Sequence, residues 1–293
     1  MAVRNPRTLL AMAAACGAAF CVLLVVAYAS SGARWLDVTA LRGFLDLQGD
    51  HLGPLADRLT DLGDPTPVIA MTAALIAVAV ARGRLRQAVA VAFLVGVTSI
   101  SSQTLKAVLA YPRSGRTLEG THLYPAAFPS GHSTAAMTLA ACAVIVAPRA
   151  VRPIAAALGV VLALAVGFSV VTLGWHYPSD VVGGFLLATI WTLLVVAGLQ
   201  VAERRWPQRV GRTRVTAAVT GVVDRATEAG LLALALAALV VAGGAALVVA
   251  LTRLDEVLGF ASDHTAAVAV GIAVAGSAAL LLAGVTSALR RRE

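Results

Sequence analysis

Charge is scarce in this chain. Asp, Glu, Lys and Arg make up 13% of its 293 residues, about half the share usual in a soluble domain. That shortage excludes disorder, a nucleic-acid-binding tail and an ordinary water-soluble enzyme. Lysine is nearly missing: of 23 basic residues one, Lys106, is lysine and the other 22 are arginine. Cysteine is rare too. Cys16, Cys21 and Cys142 lie inside apolar stretches without a C-x-x-C spacing, so they read as small buried apolar residues and not as a metal centre.

What is abundant is apolar. Hydrophobic residues reach 59%, and the mean hydropathy is +0.86. The expected fold class is all-α, a polytopic membrane helical bundle. A spanning helix needs about 20 mostly apolar residues. Eight candidates meet or approach this: 9–30, 67–82, 87–110, 132–148, 153–174, 181–202, 230–252 and 265–288. The second and fourth are short. The first six form one expected domain, 1–202. A basic linker, 203–229, separates them from a C-terminal two-helix hairpin, 230–293. Val215 to Val223 is expected to lie on the cytoplasmic surface as a short helix. No internal repeat is present.

Net charge +8 and a pI near 10.4 raise the question of a nucleic-acid partner. Arginine placement answers it. Arg4 and Arg7, Arg82, Arg84 and Arg86, Arg149 and Arg152, Arg204 to Arg214, and Arg290 to Arg292 all fall at alternate span ends. By the positive-inside rule these ends face the cytoplasm. Both termini are then cytoplasmic, and the basic charge serves topology, with no nucleic acid implied. The first external loop sets Arg34, Arg42 and Arg58 against Asp37, Asp46, Asp50, Asp57, Asp61 and Asp64. Arg4, Arg7, an apolar run and Ala27-Tyr28-Ala29 also suit a cleavable signal peptide. The run exceeds the usual apolar length of such peptides, about 7–15 residues, and a retained signal-anchor helix is the expected outcome.

Ionisable residues near the bilayer are functional candidates by default. Five converge on the external face: Lys106 near the end of span three, Arg113 in the following loop, His132 at the start of span four, His176 between spans five and six, and Asp180 opening span six. A lone lysine in an arginine-rich chain suggests a need for a compact ammonium. Lys106 and Arg113 together suit an anionic group, most simply phosphate. Pro112 is expected to end the third span.

Pro129-Ser130-Gly131-His132 precedes an apolar run. Ser130 or Gly131 can start the helix, and its free N–H groups and dipole make an anion site. Gly131 lets a ligand approach the backbone. His176 and Asp180 are four apart and would share a helical face. Asp180 could fix the imidazole tautomer and leave the other ring nitrogen free to attack, or act as a plain helix cap.

These residues resemble the type 2 phosphatidic acid phosphatase superfamily, which includes bacterial membrane lipid phosphatases. Its signature runs K-x6-R-P, P-S-G-H and S-R-x5-H-x3-D. Here stand Lys106 with Arg113, then Pro129-Ser130-Gly131-His132, then Ser169 with His176 and Asp180. The resemblance covers roughly 9–202 and leaves the terminal hairpin outside. It implies His176 as nucleophile, forming a phosphohistidine, Asp180 as its orienting group and His132 as general acid. Lys106, Arg113, Ser130 and Gly131 would bind phosphate. No metal or cofactor is implied. The substrate would be a phospholipid or polyprenyl phosphate or pyrophosphate, hydrolysed at the outer face of the plasma membrane.

Two positions depart from the signature. Ser114 follows Arg113 where proline is usual, and Val170 stands where the family has a third phosphate-binding cation, an arginine. Arg116 and His122, in the same external loop, are candidate substitutes. The second departure keeps open a non-catalytic lipid-phosphate binding or transport protein, and a lipid phosphotransferase using the same phosphohistidine is a further alternative.

Overall fold

The computed structural model describes residues 2–3, 5–49, 52–110, 121, 123, 127–206, 254–289 and 291–292. They form ten helices: α1 (Pro6–Ala29), α2 (Ser31–Leu45), α3 (Leu52–Thr60), α4 (Pro65–Ala81), α5 (Leu85–Val108), α6 (Gly131–Val146), α7 (Arg152–Thr172), α8 (Pro178–Arg205), α9 (Leu254–Asp263) and α10 (Thr265–Leu289). A short 3-10 turn, Asp61–Gly63, joins α3 to α4. Ala2–Val3 pairs antiparallel with Arg291–Arg292, which brings the two ends of the chain together.

Five helices are long and apolar enough to cross a membrane: α1, α5, α7, α8 and α10. The α3–α4 pair, bent by 53° at the 3-10 turn, makes a sixth when counted as one span. Helix α6 is apolar but has 16 residues. Seven of the eight expected spans correspond to these helices. The eighth, 230–252, lies outside the described residues, as does most of the expected linker.

Proline placement explains several starts. Pro6, Pro65 and Pro178 each occupy the first helical position, where a missing N–H costs nothing and the ring's fixed φ suits the helix. Helix α8 is the hub. It touches α1, α5, α6 and α10, and 67% of its apolar window is buried, against 17% for α1. Below the site, Thr138 Oγ1 donates to Thr98 Oγ1 at 3.2 Å, a polar link between α6 and α5 of the kind that holds helices together in lipid. Helix α10 packs on α2, α7 and α8.

The first external loop departs from expectation. Its charge pattern reads as a solvated connection, yet residues 31–63 form α2, α3 and the 3-10 turn. Ser30 caps α2 by accepting from Ala33 N–H at 3.3 Å. The arginines at the opposite end of the bundle also have a role beyond topology. Arg82 donates to Val146 O at 2.7 Å, and Arg152 to Ala147 O at 3.2 Å and Leu289 O at 2.9 Å. Arg86 donates to Ala202 O at 3.4 Å and to Trp206 O. Each guanidinium meets carbonyls left open at a helix C-terminus, where the dipole also favours a cation.

Candidate active site

The site forms where α7 ends and α6 and α8 begin. Gly174 sits at φ +72°, a conformation glycine adopts without steric penalty. Around it Gly174 N–H donates to Val171 O at 2.9 Å and Trp175 N–H to Val170 O at 3.0 Å. This is a Schellman termination of α7. It turns the chain so that His176 N–H also reaches Val170 O, at 3.2 Å. His176 is thereby placed directly before α8.

Asp180 occupies the third position of α8 rather than its cap, which is Tyr177. Its Oδ2 accepts the Tyr177 N–H at 2.9 Å and lies 3.4 Å from His176 Nδ1, an ion-pair distance without hydrogen-bond geometry. Both side chains are buried. Burial pushes the His176 imidazole below its ordinary value of 6.5. Asp180 opposes that shift, while Lys106 and His132 reinforce it. Neutral imidazole is favoured, as a nitrogen nucleophile requires.

Ser130 is the N-cap of α6, and its Oγ accepts from Ser133 N–H at 3.3 Å. Its own N–H donates to Asp180 O at 3.0 Å. The start of α6 and the start of α8 are therefore hydrogen-bonded to each other. Two glycines of α8 permit this approach. A Cβ on Gly184 would fall 2.8 Å from Ser130 O and 2.9 Å from Thr134 Oγ1, and one on Gly183 would fall 2.7 Å from the Phe128 ring. Lys106 comes from the last turn of α5. Its Nζ lies 3.3 Å from where a Gly131 Cβ would stand, with Gln103 Nε2 at 3.8 Å. An ammonium and the free N–H end of a helix thus face the same space.

His132 opens α6 next to Ser130 and Gly131. Its Nε2 is 3.1 Å from Asp64 Oδ1, and its ring is 5.7 Å from that of Trp175. Gly63 packs so closely that a Cβ there would sit 2.8 Å from His132 Cδ2.

The structure brings together Lys106, Ser130, Gly131, His132, His176 and Asp180. Arg113, Arg116 and His122 lie outside the described residues. Val170 is fully buried in an apolar cluster that includes Met137, Val181 and Phe185. Sequence reasoning missed Asp37, Gln48, Gly63, Asp64, Gln103, Trp175, Gly183 and Gly184. Asp37 accepts from Ser179 N–H and Oγ, and Gln48 Nε2 donates to Thr172 O at the end of α7. Helix α1 also supports the region. Phe20 packs 5.4 Å from Phe128, and Tyr28 Oη donates to Leu109 O at 3.1 Å.

Residues 87–204 match the family model of the PAP2 superfamily. No curated relative matches the chain. Among solved structures, the chain is similar to a transmembrane PAP2 type phosphatidylglycerolphosphate phosphatase from Bacillus subtilis. Identity is 20% and the TM-score 0.50, over 68% of this chain and 98% of that one. At that identity the likeness is one of fold. The family match spans Lys106, Ser130, Gly131, His132, His176 and Asp180 and leaves out Asp37, Gln48, Gly63, Asp64 and the α1 contacts. The match to the PAP2 superfamily over residues 87–204 thus lies within a polytopic helical fold similar to that of a PAP2-type membrane phosphatase.

Proposed function

We propose that this protein is an integral membrane phosphatase that hydrolyses a lipid phosphate or polyprenyl pyrophosphate at the outer face, through a phosphohistidine. One observation carries the reading. A buried His–Asp pair, a second histidine and an ammonium beside a helix N-terminus surround one space.

The chemistry follows from that arrangement. Asp180 faces His176 Nδ1, so Nε2 supplies the electron pair. It attacks phosphorus as the bond to the lipid oxygen breaks. The departing oxygen takes a proton from His132. Lys106, the Ser130 hydroxyl and the Gly131 N–H hold the phosphate oxygens, with Arg113 joining them from the external loop. Water then attacks the phosphohistidine, the N–P electrons return to Nε2, and His132 receives the water proton. Positioning and charge stabilisation do most of the work in such transfers.

The test is phosphate release by purified protein from a panel of lipid monophosphates and polyprenyl pyrophosphates without added divalent metal. His176→Ala abolishes release. Normal turnover by that variant would sink the mechanism.

Val170 supports a second reading, binding without turnover. A valine buried in an apolar cluster contributes no cation to the phosphate. Saturable binding of a phospholipid with no release at any pH would favour this reading over the first.

A further inference from the structure

Asp64 belongs neither to the three-part signature nor to the segment matched by the family model. We infer that Asp64 is the positioning residue of His132, holding its imidazole by Nε2 so that Nδ1 is the nitrogen that exchanges the proton with the leaving oxygen. The inference rests on the phosphatase reading above and adds a residue to it.

Asp64 stands at the N-cap position of α4, just before Pro65. Aspartate is favoured there because its side chain normally accepts from its own helix. Here the side chain makes no capping bond. Its Oδ1 lies 3.1 Å from His132 Nε2 instead. Pro65 and Pro67 leave the Thr66 N–H as the single capping donor of the first turn, and the carboxylate takes a partner 68 residues away instead.

The backbone is arranged for that choice. The 53° bend between α3 and α4 presents Gly63 and Asp64 to the start of α6. Gly63 leaves room for the imidazole, since a Cβ there would lie 2.8 Å from His132 Cδ2 and 2.9 Å from its Cβ. Trp175 flanks the ring. Asp64 is 52% exposed and His132 23%. An ion pair that open contributes only about 0–1 kcal/mol to stability. Stability alone is therefore a weak reason for the pairing.

The site then holds two His–Asp pairs of opposite task. Asp180 faces Nδ1 of the nucleophile and leaves Nε2. Asp64 engages Nε2 of the acid and leaves Nδ1. In the first step the Nδ1–H proton of His132 passes to the departing oxygen as the P–O bond breaks. In the second, a water proton returns to Nδ1 as the N–P bond breaks. Asp64 keeps the Nε2 proton throughout. Among the described residues, the charged or titratable groups around this exchange are Asp64 from the α4 cap, His176 from the α7–α8 turn, Asp180 from α8 and Lys106 from α5.

The experiment uses the full-length protein and two substrates. One is phosphatidic acid, whose alkoxide needs protonation to leave. The other is p-nitrophenyl phosphate, whose phenolate leaves without it. Asp64→Asn keeps the shape and removes the charge. It is expected to lower kcat on phosphatidic acid by about 10–100-fold, a part of the roughly 10²–10⁴-fold that general acid catalysis supplies, and on the aryl phosphate by less than about threefold. Equal losses on both, or no loss on either, would overturn the inference. The His132 tautomer, read by nitrogen NMR of labelled histidine, gives a readout independent of turnover. It is expected to be Nε2–H in the wild type and mixed in Asp64→Asn, and an unchanged tautomer would overturn the inference. Wild-type protein inactive on every substrate would refute the phosphatase reading, while the tautomer measurement still decides the role of Asp64.

Discussion

Ser179 Oγ donates to Asp37 Oδ2 at 2.6 Å, across 142 residues of sequence. The Ser179 N–H donates to the other oxygen of the same carboxylate at 3.2 Å. Ser179 is the second residue of α8, between Pro178 and Asp180. Two carboxylates therefore meet the positive end of this helix, one from the helix itself and one from α2. Hydrogen bonds to a charged group are worth about 1.5–3 kcal/mol each.

Asp37→Ala is expected to destabilise the protein by about 3 kcal/mol, since it removes two such bonds of about 1.5–3 kcal/mol each and water recovers part of the loss. Denaturant unfolding in detergent measures it. Phosphate release should fall with it, because the start of α8 also holds Asp180 against His176. Asp37→Asn retains part of the bonding and should lose less.

The His176 imidazole provides a pH prediction. Burial holds it below 6.5 when folded. As pH falls through 6.5 the unfolded chain takes up a proton that the folded chain does not. Stability from this group is thus intact above 6.5 and declines toward the lower, folded value. The nucleophile stays neutral over the same interval, so the acid limb of the rate profile that it sets falls below 6.5. Asp180 opposes the downward shift. Asp180→Asn should therefore move the His176 titration further to acid, as followed by NMR. A move toward 6.5 would contradict the electrostatic account.

Val170 can be probed through ligand-dependent stability. Val170→Arg places a guanidinium in an apolar cluster, and an unpaired buried charge is costly. The empty variant should unfold at a lower temperature than the wild type. If the new side chain reaches the phosphate space, millimolar inorganic phosphate should restore more stability to the variant than to the wild type. Equal phosphate effects in both proteins would mean that position 170 does not address that space.

Glycine substitutions test the packing. Gly184→Ala sets a Cβ 2.8 Å from a backbone oxygen, which cannot move aside as a side-chain tip can. A loss of about 1–3 kcal/mol is expected from such overpacking. Gly198→Ala meets nothing within 4 Å and is the matched control on the same helix. Thermal unfolding of the two variants side by side checks the difference.

Much of this was legible in the sequence because it is local. The apolar runs, the Ser130 cap and the four-residue spacing of His176 and Asp180 are short-range patterns. The remainder depends on distance. Asp37, Asp46 and Asp64 looked like the acidic balance of an external loop, since charge spacing alone carries no partner. The fold sends each to a different element: Asp37 to Ser179, Asp46 to His264 at 3.0 Å, and Asp64 to His132. Gly183 and Gly184 were hidden for another reason. In an Ala-, Val- and Leu-rich membrane helix, small residues carry no signal until the neighbour that needs their space is known.

Those two glycines have a mechanical consequence. At Gly183 and Gly184 the bare Cα atoms of α8 lie directly against the Phe128 ring, the Ser130 carbonyl and the Thr134 hydroxyl, with no α8 side chain between them. The His176 turn and the start of α6 are therefore expected to move as one block. On the proposed function, any play needed to admit a bulky headgroup comes from the opposite wall, where Lys106 ends a flexible stem and Asp64 sits on a bend.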